Sequence, residues 1–276
     1  MRENKDFKHG TPAVWDEIFD GVDVVYSDSP QTQNQLFEHM KISYLSEIFP
    51  QKKSKLLEVG CGSAFVSLYF AKKGWDVTSL DVNKSIIEIA KNNFEKQKAK
   101  GTFLVGNAEK LTFKDNEFDV VTSFGLMEHF INPEIAIKEM VRVTKKGGIF
   151  FADIVPNRFS CQTFGNIFNF FASFFFGIVK GNPKKGFEKG MRNFRPLYFE
   201  ADYSWQKYKK IIEEAGIKTV TVKGNRPFPR LTLPLSIDKI YASIIKLFKP
   251  FWTWFDRRGR ILSKYYGAGL WFWGEK

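Results

Sequence analysis

The 276 residues are 43% hydrophobic and 26% charged, an ordinary globular composition that suits one large α/β domain with insertions, or a domain plus a cap. Two cysteines, Cys61 and Cys161, exclude a disulfide framework and a Cys-based zinc site, and the polar opening MRENKDFKHG carries no secretory pattern, so the expected compartment is reducing and cytoplasmic. The net charge of +12 is uneven: residues 1–155 hold 20 Lys/Arg against 22 Asp/Glu, residues 156–276 hold 22 against 8, and 27 of the 46 aromatics fall in the second part, which is expected to touch something anionic or greasy.

Along the chain, residues 35–49 place apolar side chains at helical spacing, and Pro50 stops the run. Then strands and helices alternate. Residues 55–60 (KLLEVG) read as a strand and 63–73 as a helix closed by Gly74; 76–81 (DVTSLD) as a strand and 85–98 as a helix; 101–105 as a third strand. A loop at 106–111 leads to a fourth strand at 118–124 (FDVVTSF), a helix at 132–142 with Asn132 as cap and Pro133 in its first turn, and a fifth strand at 148–155. After an aromatic interruption, 204–215 reads as a helix ended by Gly216 and 217–222 as a strand; after a second interruption, 269–273 is a last short apolar run. Such alternation implies right-handed crossovers and a doubly wound, mostly parallel sheet.

The segment LLEVGCGSAF at 56–65 is the most informative. Glycines 60 and 62, between a buried strand and a helix, let the backbone turn tightly with no Cβ in a ligand's way. Asp81 ends the next strand, 19 residues beyond Gly62, where a carboxylate can accept from both hydroxyls of a ribose. A dinucleotide fingerprint would need glycine at position 65, where this chain has Phe65.

The string LLEVGCG resembles the first motif of the class I S-adenosylmethionine-dependent methyltransferases. Four later segments follow that family in order and spacing: LDVN at 80–83, GNAEKLTF at 106–113, FDVVTSFGLMEHF at 118–130 and VTKKGGIFF at 143–151. The nearest flavour is the methyltransferase type 11 group, which acts mostly on small molecules, quinones and lipids. The resemblance implies an α/β, Rossmann-like, doubly wound and mostly parallel sheet with an antiparallel last strand, carrying helical and aromatic insertions. It implies S-adenosyl-L-methionine as cofactor. Glu58 would orient the loop and the donor's amino group, Gly60, Cys61 and Gly62 would give the methionine part backbone room, and Asp81 would hold the ribose. Val82 would pack on the adenine, Asn107, Ala108 and Glu109 would bound its edge, and Ser123 and Phe124 would line the end from which the methyl emerges. Ala64 stands where the family often has glycine, so a slightly altered loop is expected.

A sulfonium methyl is already activated, so no metal is expected, and an enzyme of this kind aligns a nucleophile with the S–CH3 bond and excludes water. Oxygen or carbon acceptors also need a base. His129, after the fourth strand, is the candidate catalytic base, although an E-H pair here is frequent in the family whatever the substrate; Glu128 reads as a solvated or locally paired charge, and His9 and His39 as surface residues. Nucleobase amine methylation in this fold generally goes with [N/D]-P-P-[Y/F] after strand four, where this chain has SFGL, and Cys161, in FSCQ, reads as a buried structural thiol.

Two insertions remain. Residues 164–179 (FGNIFNFFASFFFGIV) form an apolar helix with Asn166, Asn169 and Ser173 on one stripe, either a lid over the acceptor pocket or an interfacial helix gathering a lipophilic substrate. Residues 180–195 read as a mobile solvated loop, with a clamp over an anionic acceptor as the alternative. Residues 237–264 interleave Ile, Phe, Trp and Tyr with Lys and Arg at helical spacing, the composition of a membrane-interface segment, with packing on the sheet as the alternative and RNA stacking ranked lower. The expected organisation is a helical cap at 1–54, the donor-binding core at 55–155, an aromatic lid at 156–200, a core helix and strand at 201–223, a basic-aromatic insertion at 224–264 and a last core strand at 265–276. The expected function is methyl transfer to a small or lipophilic acceptor such as a quinone, with peripheral contact to an anionic membrane at its inner face; the alternatives are action on RNA or protein, or donor binding alone. Oligomeric state is left open.

Overall fold

The computed structural model describes residues 26–155, 158–194, 199–201, 203–258 and 260–276. His9 and the start of the expected cap lie outside the described residues. The cap's described part centres on α1 (Gln33–Ile48), opened by a capping box in which Thr32 and Gln35 each accept from the other's backbone N–H.

The alternation read from the sequence is realised as β1 (Lys55–Val59), α2 (Phe65–Lys72), β2 (Asp76–Asp81), α3 (Lys84–Lys96), β3 (Thr102–Val105), β4 (Phe118–Phe124), α4 (Pro133–Val143) and β5 (Thr144–Ile154). Asn132 precedes α4, yet its side chain makes no capping bond; Pro133, which needs no N–H partner, opens the helix without one. β5 begins four residues earlier than expected, because Thr144 pairs with Phe118 before a bulge at 145–148 that resumes with Ile149 opposite Val120.

Beyond β5 come α5 (Cys161–Val179), α6 (Pro183–Met191) and α7 (Trp205–Glu214), then β6 (Thr221–Asn225), α8 (Leu235–Leu247), α9 (Lys249–Arg258), α10 (Arg260–Tyr266) and β7 (Gly269–Glu275). Two expectations are corrected. The segment expected as a solvated loop contains a helix: the Asn182 side chain accepts from Lys185 N at 3.0 Å, and Pro183 holds the first turn. Its glycines, which read as loop punctuation, are contact points, since a Cβ on Gly186 would lie 2.7 Å from Gly177 Cα and one on Gly190 2.9 Å from the Phe170 ring. The sixth strand runs from Thr221 and not from Ile217, because its ladder partner β7 faces it only from Trp273, opposite Thr221, to Gly269, opposite Asn225.

The seven strands form one sheet in the order β3-β2-β1-β4-β5-β7-β6, parallel except that β7 runs antiparallel to both neighbours. Period-two alternation divides the strand residues between two cores. Leu57, Val121, Phe150 and Phe272 pack under α4 and α7, whereas Leu56, Val120, Phe151 and Trp271 pack under α1, α2 and α3. Tyr44 stacks on Trp271 at 4.1 Å, so part of the aromatic excess belongs to the sheet itself. A third cluster joins Leu36, Phe37 and Met40 of α1 to Ile245 and Trp252, which ties the second insertion to the cap.

Candidate functional site

The parallel register brings the carboxyl ends of β1, β2 and β4 to one edge: Val59 lies opposite Leu80 on one side and Ser123 on the other. In an open α/β sheet, ligands bind there. Gly60 and Cys61 both donate their N–H to Leu80 O, at 2.8 and 3.0 Å, which folds the loop back onto β2. Gly60 has φ +66° and Gly62 φ +52°, left-handed values that favour glycine. A Cβ on Gly60 would lie 2.8 Å from the Leu126 side chain, so the loop can approach the next strand's loop only because that atom is missing. Ala64 closes the turn at φ +56° without a glycine's freedom; the expected alteration is a methyl group held in the left-handed region, fully buried.

Asp81 sits against this loop. Its Oδ2 accepts from Gly62 N at 3.2 Å and its Oδ1 from Asn83 N at 3.0 Å, while burial raises its pKa above the ordinary carboxylate value. Gly106 N donates to Asp81 O at 2.9 Å, which brings the 106–109 loop alongside; there Asn107 Oδ1 accepts from Glu109 N at 2.9 Å, Ala108 is buried and Glu109 half-buried. Val82 is 46% exposed, an apolar side chain presented at the strand tip. Glu58 is buried, and its Oε2 accepts from Ser67 N at 2.9 Å and Ser67 Oγ at 2.5 Å. It therefore anchors α2 under the loop, and burial pushes its carboxyl up to about 7. Asn93 of α3, a residue the sequence did not single out, donates to Ser63 O at 3.0 Å and pins the loop from the other side. Cys61 is buried, with its thiol raised well above its usual range by burial.

At the tip of β4, Ser123 is fully buried and its hydroxyl has no partner among the described residues. Phe124 is half-buried, with Lys41 Nζ 4.5 Å from its ring centroid. Beyond a left-handed Gly125 comes a 3-10 turn, Met127–His129. Glu128 is not solvated: it is buried, Oε1 accepts from Val155 N at 3.0 Å, and burial pushes its carboxyl up to about 8. His129 Nδ1 lies 3.0 Å from Phe199 O, and Ala201 N donates to Glu128 O at 2.7 Å, so the loop after β4 is knitted to the segment 199–201. Burial lowers the His129 pKa, which leaves the ring neutral at pH 7. His39 is half-buried, its Nε2 2.6 Å from Ser27 O, and so is not a simple surface residue.

A charged cleft that the sequence did not reveal continues from Phe124. Phe124 pairs with Asp153, and Asp153 shares a cleft of only about 20 Å³ with Glu38, Lys41, Asn225, Arg226 and Asp256, walled by aromatic side chains. Asn225 Nδ2 donates to Asp153 Oδ1 at 3.0 Å, Arg226 N and Trp252 Nε1 donate to Asp256 at 3.1 and 2.6 Å, and Lys41 pairs with Glu38 at 2.9 Å. Burial raises Asp153, against the opposing pull of Lys41 and Arg226, and pushes Asp256 up to about 8. The sequence signal was an acid inside an otherwise apolar strand, FFADIV, just where β5 reaches the ligand edge. A larger cavity, about 890 Å³, opens at the opposite edge between Lys146, Lys218 and Trp273, far along the strands from Asp81.

A doubly wound sheet with this strand order, a glycine-opened turn after β1 and a carboxylate ending β2 define a nucleoside-binding α/β domain. Residues 57–152, about a third of the chain, match the methyltransferase domain family. The chain is 33% identical over 123 residues to a ubiquinone biosynthesis O-methyltransferase of Coxiella burnetii, covering 44% of this chain and 53% of that protein. It is 31% identical over 154 residues to a demethylmenaquinone methyltransferase of Renibacterium salmoninarum, covering 55% of this chain and 60% of that one. The aligned part thus spans little more than half the length of these relatives. Among solved structures, a phosphoethanolamine N-methyltransferase 2 of Haemonchus contortus, in complex with phosphomonomethylethanolamine and S-adenosylhomocysteine, shares the fold at TM-score 0.56 and 16% identity, over 96% of this chain and 56% of that one. An S-adenosylmethionine-dependent methyltransferase of Archaeoglobus fulgidus does so at TM-score 0.54 and 12% identity, over 96% and 99% of the two chains.

Proposed function

We propose that this chain transfers a methyl group from S-adenosylmethionine to a lipophilic, quinone-type acceptor. The observation that carries the proposal is the loop of Gly60, Cys61 and Gly62 gathered against Asp81 at the sheet edge, with the charged group of Lys41, Asp153 and Arg226 next to Phe124 at the tip of β4. The acceptor class comes from the quinone-pathway names of the two relatives.

The crevice fits the donor. The left-handed Gly60 and Gly62 turn the backbone tightly where a methionine chain would lie, and Glu58 keeps that backbone in place through Ser67. Asp81 offers its carboxylate to ribose hydroxyls, since its two oxygens can accept more than the backbone N–H groups they already serve. Val82 and Ala108 supply apolar surface for an adenine, with Asn107 and Glu109 at its edge, while Ser123 and Phe124 wall the methionine end. The bound donor supplies a methyl already activated on a cationic sulfur. The chain's own residues align the acceptor, exclude water and take a proton from it. Lys41 and Arg226 favour an acceptor oxygen in its anionic form, and the neutral ring of His129 or the Asp153 carboxylate receives the proton.

Incubation of the purified chain with methyl-labelled donor and a cell lipid extract tests the reading. Label is expected in the quinone-containing fraction; label confined to RNA or protein overturns the acceptor class. His129→Gln and Asp153→Asn separate the two proton acceptors. The variant that removes the base loses kcat and its acid limb in the pH profile, whereas loss of KM alone marks a positioning residue.

A further inference from the structure

Helix α5 is amphipathic in the reverse sense. Its buried residues, Cys161, Gly165, Asn169, Ser173 and Gly177, are small or polar and recur every four positions. Phe164, Phe168, Phe171, Phe175 and Ile178 recur on the opposite surface at spacings of four and three, each between 45% and 62% exposed. A water-facing helix has the opposite arrangement, and an exposed apolar surface of this extent marks a contact with something else.

The inward side is fully engaged. Asn169 donates to Arg230 O at 3.1 Å and accepts from Thr232 N at 2.6 Å, Asn166 donates to Asn193 O at 2.9 Å, and Gly177 is pressed against Gly186. The polar side therefore cannot rotate outward to cover the phenylalanines. The segment that receives Asn169 continues into α8, whose Ile237, Ile240, Ile244 and Leu247 form a second exposed apolar row, with Leu247 79% exposed.

Charge identifies the occupant. The turn and helix after α5 expose Lys180, Lys184, Lys185 and Lys189 against the single acid Glu188, and Lys239, Lys246 and Lys249 flank the α8 row. We infer that the α5–α6 hairpin, together with α8, docks the protein on an anionic lipid bilayer, with the phenylalanine row at acyl depth and the lysines at the phosphates. A second copy of the chain would bring two lysine sets together, which like-charge repulsion opposes. α5, although its 19 residues are long and apolar enough to cross a membrane, is held along its polar side to the domain by the bonds above, so it lies in the interface.

The placement deepens the proposed function at one point and rests on it only there. Cys161 Sγ donates to Arg226 O at 3.3 Å, so α5 starts at the rim of the charged cleft, and docking would set that cleft beside the bilayer that holds a lipophilic acceptor.

Flotation of the full chain with phosphatidylcholine vesicles, alone or mixed with phosphatidylglycerol, tests the docking without reference to methyl transfer. Binding is expected to the mixed vesicles and to weaken with salt. Phe171→Glu with Phe175→Glu should lower it at least about tenfold per residue, and Lys184→Glu with Lys185→Glu should lower it as well, with thermal melting unchanged in both because all four side chains are exposed. A chain that ignores anionic vesicles overturns the inference, as does full binding by the phenylalanine variant. A solution dimer broken by that variant would give the face to a second copy, and binding that resists carbonate extraction would make α5 a span; either result overturns it too.

Discussion

Asparagine at position 81 removes one carboxylate oxygen while keeping the side chain's shape, and alanine removes both. In the protein, the two oxygens already serve Gly62 N and Asn83 N at 3.2 and 3.0 Å, with Val82 N beside them, and two carboxylate oxygens with about four lone pairs keep capacity for a hydroxyl. A hydrogen bond to a charged group contributes about 1.5–3 kcal/mol, and each 1.4 kcal/mol is roughly tenfold in affinity. Asp81→Asn is therefore expected to weaken S-adenosylhomocysteine binding about 10- to 100-fold, and Asp81→Ala roughly 100-fold or more, measured by isothermal calorimetry at fixed pH and salt. The order matters as much as the size, because asparagine must fall between wild type and alanine. Affinity within threefold of wild type in the alanine variant would refute the assignment of Asp81 to the ribose. A loss confined to stability, seen as a lowered melting temperature with unchanged affinity, would make the residue a brace for the loop alone.

Gly60→Ala puts a Cβ 2.8 Å from Leu126 and forces alanine to φ +66°, at a cost of about 1–2 kcal/mol for the backbone alone; donor affinity and melting temperature should both fall, and Leu126→Ala should restore only the part due to the clash. Glu128→Gln is predicted to change the pH dependence of stability. Its folded carboxyl, at about 8, lies above its unfolded value, so wild-type stability falls as pH rises through the window from the unfolded pKa to about 8 and then levels. The glutamine variant lacks that slope, so its advantage over wild type should grow by about 1.4 kcal/mol per pH unit across the window in urea titrations, and an identical slope in the two proteins would refute the burial of the charge.

The core of the fold was legible because its signals are local. Turn glycines, strand-length apolar runs and helical periodicity lie within a few residues of one another; Gly60, Gly62 and Asp81 were placed by spacing, and Glu58 through the family resemblance. The α5–α6 hairpin was half legible. The apolar helix was plain, but Gly186 and Gly190 read as loop residues, since their use as contact points against Gly177 and Phe170 depends on a partner helix that no spacing rule supplies. The charged cleft was invisible for the same reason: Lys41, Asp153, Arg226 and Asp256 come from four segments spread over most of the chain, and only the closed sheet brings them together. Glu128 was misread because charge suggests solvent, whereas the turn after β4 folds it under Val155.

β7 lies between β5 and β6, and β6 has no other neighbour in the sheet. During synthesis, then, residues 221–225 leave the ribosome before the strand that will hold them exists, and the segment carrying α8, α9 and α10 emerges in between. Until Gly269–Glu275 inserts, the edge of β5 stays open and Arg226 has no fixed place beside Asp153. The donor crevice, built from strands made earlier, can form first. The charged cleft is assembled last, so a nascent or truncated chain would have the loop after β1 in place with no ordered Arg226 or Asn225 beside Asp153.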